Sequence, residues 1–262
     1  MKAAVNGAAG AMGRRIISLL SDMPECRLVC ALERADHPLL GQDAGVLAGT
    51  GTLGVPLTAK LGGEPDVLLD FSAPESTMAR ARECAAAGTA VVIGTTGLHK
   101  EQVARLTEEV ATRVPLLITP NMSIGVNLLF RLAVDVARTL GDGYDIEIVE
   151  AHHRRKKDAP SGTAAELARR ICEALGRDPA AVLRFGREGI CGPRTPDEIG
   201  IHAVRGGDIV GDHTVIFAAD GERVELVHKA SSRDVFARGA IRAAMFLAGR
   251  KPGLYSMQDV LA

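Results

Sequence analysis

KAAVNGAAGAMGRRIISLL, residues 2–20, is the stretch whose reading decides the fold. The run KAAVN ends at Gly7, and an amphipathic segment from Met12 to Leu20 follows the glycines, so the order is strand, turn, helix. Gly7, Gly10 and Gly13 lie three residues apart in the turn. The first permits a tight bend, the second lets a diphosphate approach the backbone without a Cβ in the way, and the third lets the helix lie close to the strand. A dinucleotide's phosphates would then meet free amides at the positive end of the helix. A merely tight turn has the same spacing, so the distinction must come from what lies around it.

The chain downstream supplies it. Arg27–Glu33 reads as a second strand, and Glu33 falls 20 residues after Gly13, where an acid accepts hydrogen bonds from the adenosine ribose. Arg34 follows, and a guanidinium there suits a 2′-phosphate, so the pair predicts use of NADH or NADPH. Residues 66–71, 90–93 and 116–119 are short apolar strands, with helices at 74–87 and 98–113 between them. Alternating strands and helices with apolar strands predict an α/β fold, a Rossmann-like parallel sheet covered on both faces. Two more loops fall at strand ends on the ligand-collecting edge, Gly94, Thr95, Thr96 and Gly97, then Thr119, Pro120, Asn121, Met122 and Ser123, placed for cofactor contact or for plain turn chemistry.

After Asn121 the pattern changes to a long helix through Leu140, a strand at 144–152, a helix at 161–175, and hairpin signals at Gly206-Gly207 and Asp220-Gly221. A second, mixed α+β domain is expected at 123–233, and residues 234–262 are expected to join 1–122 in the dinucleotide-binding domain.

Composition narrows the function. With 31 basic and 32 acidic side chains the formal charge is −1, and with 3% aromatics and no Trp there is neither a field nor a stacking platform for nucleic acid. Five cysteines in no metal-binding spacing read as reduced thiols. No run of eighteen apolar residues could span a bilayer and no signal-like segment opens the chain, so a cytoplasmic location without a membrane partner is expected.

EAHHRRKKDAPSGTA, residues 150–164, is therefore a local device. Adjacent His152 and His153 would point to opposite faces of a strand and the neighbouring cations would repel a metal ion, so no metal is expected. A solvated charge run leaves the sequel unexplained: Ser161 is placed as an N-cap, with the Gly162 and Thr163 amides at a positive helix end. Basic side chains beside a helix start make an anion site with acids attached. Beside a hydride-carrying cofactor, that calls for a small carboxylate substrate that takes a hydride and then a proton.

The same residues resemble the signature of the 4-hydroxy-tetrahydrodipicolinate reductase family, the dihydrodipicolinate reductases of the diaminopimelate and lysine pathway. The likeness extends to GAAGAMGR at 7–14, ALER at 31–34, GTTG at 94–97, PNMSIGVN at 120–127, VRGGDIVGDHTVIF at 204–217 and HKASSRDVFARGA at 228–240. It implies His152 as proton donor and acceptor, Lys156 as second proton donor, and His153, Ser161, Gly162 and Thr163 as contacts to a cyclic dicarboxylate; it implies Gly7, Ala8, Ala9, Gly10, Ala11, Met12, Glu33, Arg34, Gly94, Thr95, Thr96, Thr119, Pro120, Asn121 and Met122 as cofactor contacts. It implies hydride addition at C4 of the ring with loss of water, protonation of the resulting enamine, and a homotetramer joined through the second-domain sheets. Ala73 stands where some relatives carry a basic residue near the cofactor phosphate. Other dinucleotide enzymes, such as homoserine or aspartate dehydrogenases, would share the glycine turn but not the basic stretch. A non-catalytic NAD(P)H sensor would have no need of His152 and Lys156.

Overall fold

A computed structural model describes residues 1–262 and divides them into two compact units, 1–124 with 234–262, and 125–233. The sequence pattern placed the first change at 122/123; the structure divides inside the first turn of the long helix.

The first unit alternates β1 (Lys2–Asn6), α1 (Ala11–Ser21), β2 (Arg27–Leu32), α2 (Ala44–Ala48), β3 (Leu57–Thr58), β4 (Val67–Asp70), α3 (Pro74–Ala87), β5 (Ala90–Ile93), α4 (Lys100–Glu109) and β6 (Pro115–Ile118). The second holds most of α5 (Ile124–Leu140), then β7 (Asp145–His152), α6 (Gly162–Leu175), α7 (Pro179–Val182), β8 (Leu183–Phe185), β9 (Ile199–Arg205), β10 (Gly211–Ala219) and β11 (Glu222–Ala230). The chain returns to the first unit as α8 (Asp234–Leu247), β12 (Gly253–Tyr255) and α9 (Met257–Leu261). No helix is long and apolar enough to cross a membrane.

Seven parallel strands run in the order β12-β6-β5-β4-β1-β2-β3. Strand order reverses between β1 and β4, the crevice where such sheets take their ligands. One face is sealed by α1 and α8, with Ile16, Ile17, Ala240 and Leu247 buried against Val5 and Leu69. Met78, Ala81 and Leu106 of α3 and α4 cover Val91 and Leu116 on the other. Strands buried on both faces explain the continuous apolar runs.

Local signals set several boundaries. Pro74 opens α3 at a position where no amide donor is needed, and Gly88 ends it with a left-handed φ of +73°. Two expectations shift here. The helix expected at 98–113 is shorter, because His99 caps α4 and its amide donates to Gln102 Oε1 at 2.9 Å. Glu33 lies just beyond β2 rather than closing it, its amide bonded to the Thr58 carbonyl at 3.0 Å.

The second sheet runs β11-β10-β7-β9-β8. Its inner face packs Ile146, Ile148, Val215 and Phe217 on Phe130 of α5 and on Leu167 and Ile171 of α6. Asp220-Gly221 does turn a hairpin, with Ala219 opposite Glu222. Gly206-Gly207 does not: β9 pairs with β7 in parallel, β10 pairs with β7 antiparallel, and β7 lies between them. The 206–210 loop instead crosses the end of β7, where the Gly206 amide donates to the His152 carbonyl at 2.9 Å and the Arg154 amide to the Gly207 carbonyl at 3.2 Å.

Candidate active site

The glycine turn fits its expected physics closely. Gly7 has φ +75°, and a Cβ there would lie 2.4 Å from the Phe71 carbonyl oxygen. A Cβ on Gly13 would lie 2.2 Å from the Gly7 carbonyl oxygen, so only glycine lets α1 come this near the turn. The Gly7 and Ala8 amides donate to the Leu32 carbonyl at 3.0 and 3.1 Å, which pins the turn to the end of β2. No side chain caps α1 at Gly10, so its first amides, Ala11 and Met12, remain for a ligand.

A cleft of about 440 Å³ opens above this turn, lined by Gly10, Ala11, Met12, Phe71, Ser72, Gly94, Thr95, Thr96, Pro120, Met122 and Phe236. It sits at the carboxyl ends of β1, β4, β5 and β6, where three candidate loops meet. Gly94 allows this convergence, since a Cβ would lie 2.3 Å from the Phe71 ring. Thr119 and Asn121 brace the last loop: Thr119 Oγ1 receives the Asn121 amide at 3.3 Å, and Asn121 Oδ1 receives the Ser123 amide at 2.9 Å.

Beneath the cleft, Asn6 Nδ2 donates to Asp70 Oδ1 at 3.0 Å and the Ser72 hydroxyl donates to the same oxygen at 2.6 Å. The Thr95 hydroxyl accepts from the Ser72 amide at 3.0 Å and turns inward to Asp70, so Thr95 shapes the cleft floor while Thr96 is exposed. Burial outweighs these hydrogen bonds and raises the Asp70 pKa above the ordinary range.

Glu33 and Arg34 lie at the end of β2. Glu33 Oε1 accepts from the Ala9 amide at 2.9 Å and Oε2 from the Arg34 amide at a long 3.4 Å, so Oε2 keeps acceptor capacity for a ribose hydroxyl. Arg34 is exposed beside Asp36 at 3.2 Å. A cradle that any Cβ would fill, open helix amides, and an acid at the second strand end fit a nicotinamide dinucleotide.

In the second unit the basic stretch runs off the end of β7. Strand alternation puts Ile146, Ile148, Glu150 and His152 on one face, so an acid and a histidine continue an apolar row inward. His152 Nδ1 lies 2.6 Å from Glu150 Oε2. A carboxylate can only accept, so Nδ1 carries the hydrogen. Nε2 then points toward Gly211, whose missing side chain leaves room: a Cβ there would sit 3.1 Å from it.

Lys156 extends its ammonium to Asp158 at 2.8 Å and is mostly shielded, while Asp158 is exposed. Ser161 caps α6 by accepting the Ala164 amide at 3.1 Å, and its hydroxyl also meets His213 Nε2 at 2.9 Å. Gly162 is exposed at the first turn with nothing near the place of a Cβ, and Thr163 is half-buried beside it. Burial, and next the charge of Arg155, lower the His153 pKa and keep it neutral at neutral pH. His213 packs edge-on to His152, ring centroids 5.2 Å apart, and burial pushes its pKa down to about 4.

Glu150, Arg205 and His213 are the residues that sequence reasoning passed over. A signal existed for two of them: Glu150 shares the inward parity of Ile146 and Ile148, and His213 that of Val215 and Phe217. Buried polar groups at such positions require partners. Nothing local announced Arg205 as Glu150's partner.

The parallel sheet, its reversed strand order and the glycine cradle define an α/β oxidoreductase that uses a nicotinamide dinucleotide. Family models agree on which: the one described as "Dihydrodipicolinate reductase, N-terminus" matches residues 1–122, and "Dihydrodipicolinate reductase, C-terminus" matches 125–261. The chain belongs to the dihydrodipicolinate reductase family. It is 52% identical over 264 residues to the 4-hydroxy-tetrahydrodipicolinate reductase of Geobacter metallireducens, covering 100% of this chain and 98% of that protein. Identity to the reductase of the same name from Syntrophotalea carbinolica is 51% over 264 residues, with the same coverage. Among solved structures, a dipicolinate-bound dihydrodipicolinate reductase from Paenisporosarcina sp. TG-14 superposes with a TM-score of 0.77 at 25% identity, covering 100% of this chain and 99% of that one.

Proposed function

We propose that this chain reduces 4-hydroxy-tetrahydrodipicolinate to tetrahydrodipicolinate in diaminopimelate and lysine biosynthesis. The observation that carries this reading is identity of 51–52% to reductases of that name over the whole chain. A nicotinamide bound in the cleft supplies the hydride. His152 and Lys156 supply the proton: the C4 hydroxyl leaves as water with a hydrogen from the neighbouring ring carbon, hydride adds at C4 of the resulting conjugated imine, and the enamine so formed takes a proton back at the neighbouring carbon from Nε2 of His152 or Nζ of Lys156. His153, Ser161, Gly162 and Thr163 hold the two carboxylates. The exposed Gly162 and the amides at the start of α6 support that role, while the Ser161 hydroxyl, already engaged by Ala164 and His213, acts by fixing the helix start. A substrate carboxylate competes with Asp158 for Lys156.

Gly7 to Met12, Glu33, Arg34, Gly94 to Thr96 and Thr119 to Met122 hold the dinucleotide. Both NADH and NADPH serve, because Glu33 Oε2, held only by the long Arg34 amide contact, can take a ribose hydroxyl while exposed Arg34 can swing to a 2′-phosphate. The assembly is a homotetramer joined through the open face of the second sheet, where Val227 is 51% and Val204 49% exposed. The protein works in the cytoplasm, a reading supported by five free cysteines.

The test generates the ring substrate in situ from pyruvate and aspartate semialdehyde with its synthase and follows reduced-cofactor absorbance with each nucleotide. His152→Ala and Lys156→Ala each cut kcat by roughly a hundredfold or more. No oxidation by the unaltered protein, or near-normal turnover in both variants, sinks the assignment.

A further inference from the structure

Glu150 is the most enclosed charged group of the second unit, with no exposed surface, and its carboxylate is fully subscribed. Oε2 accepts from His152 Nδ1 at 2.6 Å and from Arg205 Nη1 at 2.7 Å. Oε1 accepts from Arg205 Nη2 at 2.7 Å and from the Ser161 amide at 3.0 Å. Arg205 Nη2 donates again to the Asp158 carbonyl at 2.7 Å. The end of β7, the start of α6 eleven residues on and the end of β9 55 residues on therefore meet on one carboxylate.

We propose that Glu150, clamped by Arg205, is the positioning residue that fixes His152 with its hydrogen on Nδ1 and Nε2 free toward the substrate, and that sets the start of α6 in register with it. The proposal rests on the reading of His152 as proton donor. Glu150 touches no substrate. Its Arg205 partner is consumed by the clamp and so is not a free cation for the substrate carboxylates, which leaves that task to Lys156, His153 and the α6 amides.

The physical reason is the acceptor count. A carboxylate offers acceptor sites on both oxygens and no donor, so the ring nitrogen facing it must carry a hydrogen. When Nε2 gives up its proton, the bond to Glu150 leaves a neutral imidazole already in the Nδ1–H tautomer, and no ring flip is needed to reload Nε2 from water. Burial opposes the charge on Glu150, but Arg205, His152 and the Ser161 amide outweigh it and hold the pKa below the ordinary value. The carboxylate thus stays ionised throughout the working range.

Glu150→Gln tests this while keeping the shape. Its amide must turn NH2 toward either the His152 side or the Ser161 side, where two donors already point. On the His152 side the clash is relieved by moving the ring hydrogen to Nε2. We expect kcat to fall about a hundredfold with a smaller change in KM, and the limb on which kcat falls with rising pH to shift to lower pH. Ring 15N chemical shifts report the tautomer directly: Nδ1–H for His152 in the unaltered protein, Nε2–H or a mixture in the variant. A packing role alone would lower the folded fraction without moving the tautomer or the pH limb. A neutral His152 ring with its hydrogen on Nε2 and none on Nδ1 in the unaltered protein overturns the proposal even if the variant does not fold. So does a folded Glu150→Gln variant within threefold of normal kcat. If instead the unaltered protein fails to reduce the ring substrate but shows the Nδ1–H tautomer, it is the assigned reaction that falls and not the role of Glu150.

Discussion

His213 gives the second unit a pH dependence that can be worked out from its surroundings. The ring is 3% exposed, hydrogen-bonded through Nε2 to Ser161, and pressed edge-on against His152. Burial, and next the positive charge His152 acquires on protonation, lower its pKa from 6.5 to about 4. A lowered histidine pKa means that the unfolded chain binds the proton more readily than the folded one, so stability contributed by the neutral ring is complete above pH 6.5 and drains away as pH falls toward 4. The 2.5-unit difference corresponds to about 3 kcal/mol, lost across that window. His213→Gln keeps a polar atom near Ser161 and does not titrate. Urea unfolding followed by far-ultraviolet circular dichroism suits a chain without Trp. Between pH 7.5 and 4.5 the unaltered protein should lose about 2–3 kcal/mol more than the variant. Parallel pH dependences for the two proteins would refute the reasoning, because every other titrating group is common to both.

Gly13→Ala places a Cβ 2.2 Å from the Gly7 oxygen and 2.8 Å from Ala8 Cα, both backbone, so α1 must move off the turn. We expect a cost of about 1–3 kcal/mol and weaker dinucleotide binding by titration calorimetry, with a milder effect for Gly10→Ala, whose Cβ would lie 3.1 Å from the same oxygen. Asp43 accepts five backbone amides, from Gly45, Val46, Leu53, Gly54 and Val55. Those bonds, the Leu53 amide first, lower its pKa below 3.8, so the order it imposes is complete above that value and is lost as pH falls below it. Hydrogen exchange across 44–55 should accelerate in Asp43→Ala at neutral pH while β4 and β5 keep their protection. Glu147 resists burial through Arg187, His202 and Arg194, which hold its pKa down to about 2. Glu147→Gln should therefore expose residues 186–198 to proteolysis at neutral pH, and the unaltered protein should do the same only as pH falls from 4.5 toward 2.

Legibility followed the range over which each decision is made. The β1–α1 turn could be read because its requirement is local: two close approaches, at Gly7 and Gly13, that no side chain permits, and a tighter-than-usual one at Gly10. The α6 start was equally plain, since Ser161 caps within three residues. Asp220-Gly221 and Gly206-Gly207 carry the same kind of turn signal, yet only the first makes a hairpin. The difference is β7, which occupies the place beside β9 that β10 would otherwise take. The connection at 34–66 was left unread because its order comes from Asp43 gathering amides up to twelve residues away. Residues 186–198 are held by Arg187 and Arg194 on Glu147, up to 47 positions distant.

The sequence by itself determined the α/β class, the glycine cradle, the acid that follows β2, the helix start at Ser161 and the presence of two histidines and a lysine in one stretch. These depend on steric limits and hydrogen-bond needs that neighbouring residues settle among themselves. Tertiary structure alone decided that Glu150 would be buried against Arg205, that His213 would stand behind Ser161, and that His152 would present Nε2 rather than Nδ1. The first two depend on strands brought together across more than fifty residues, and the third follows from Glu150, two residues away, being held ionised by that distant partner, because the orientation of a proton donor is set by the group on its far side.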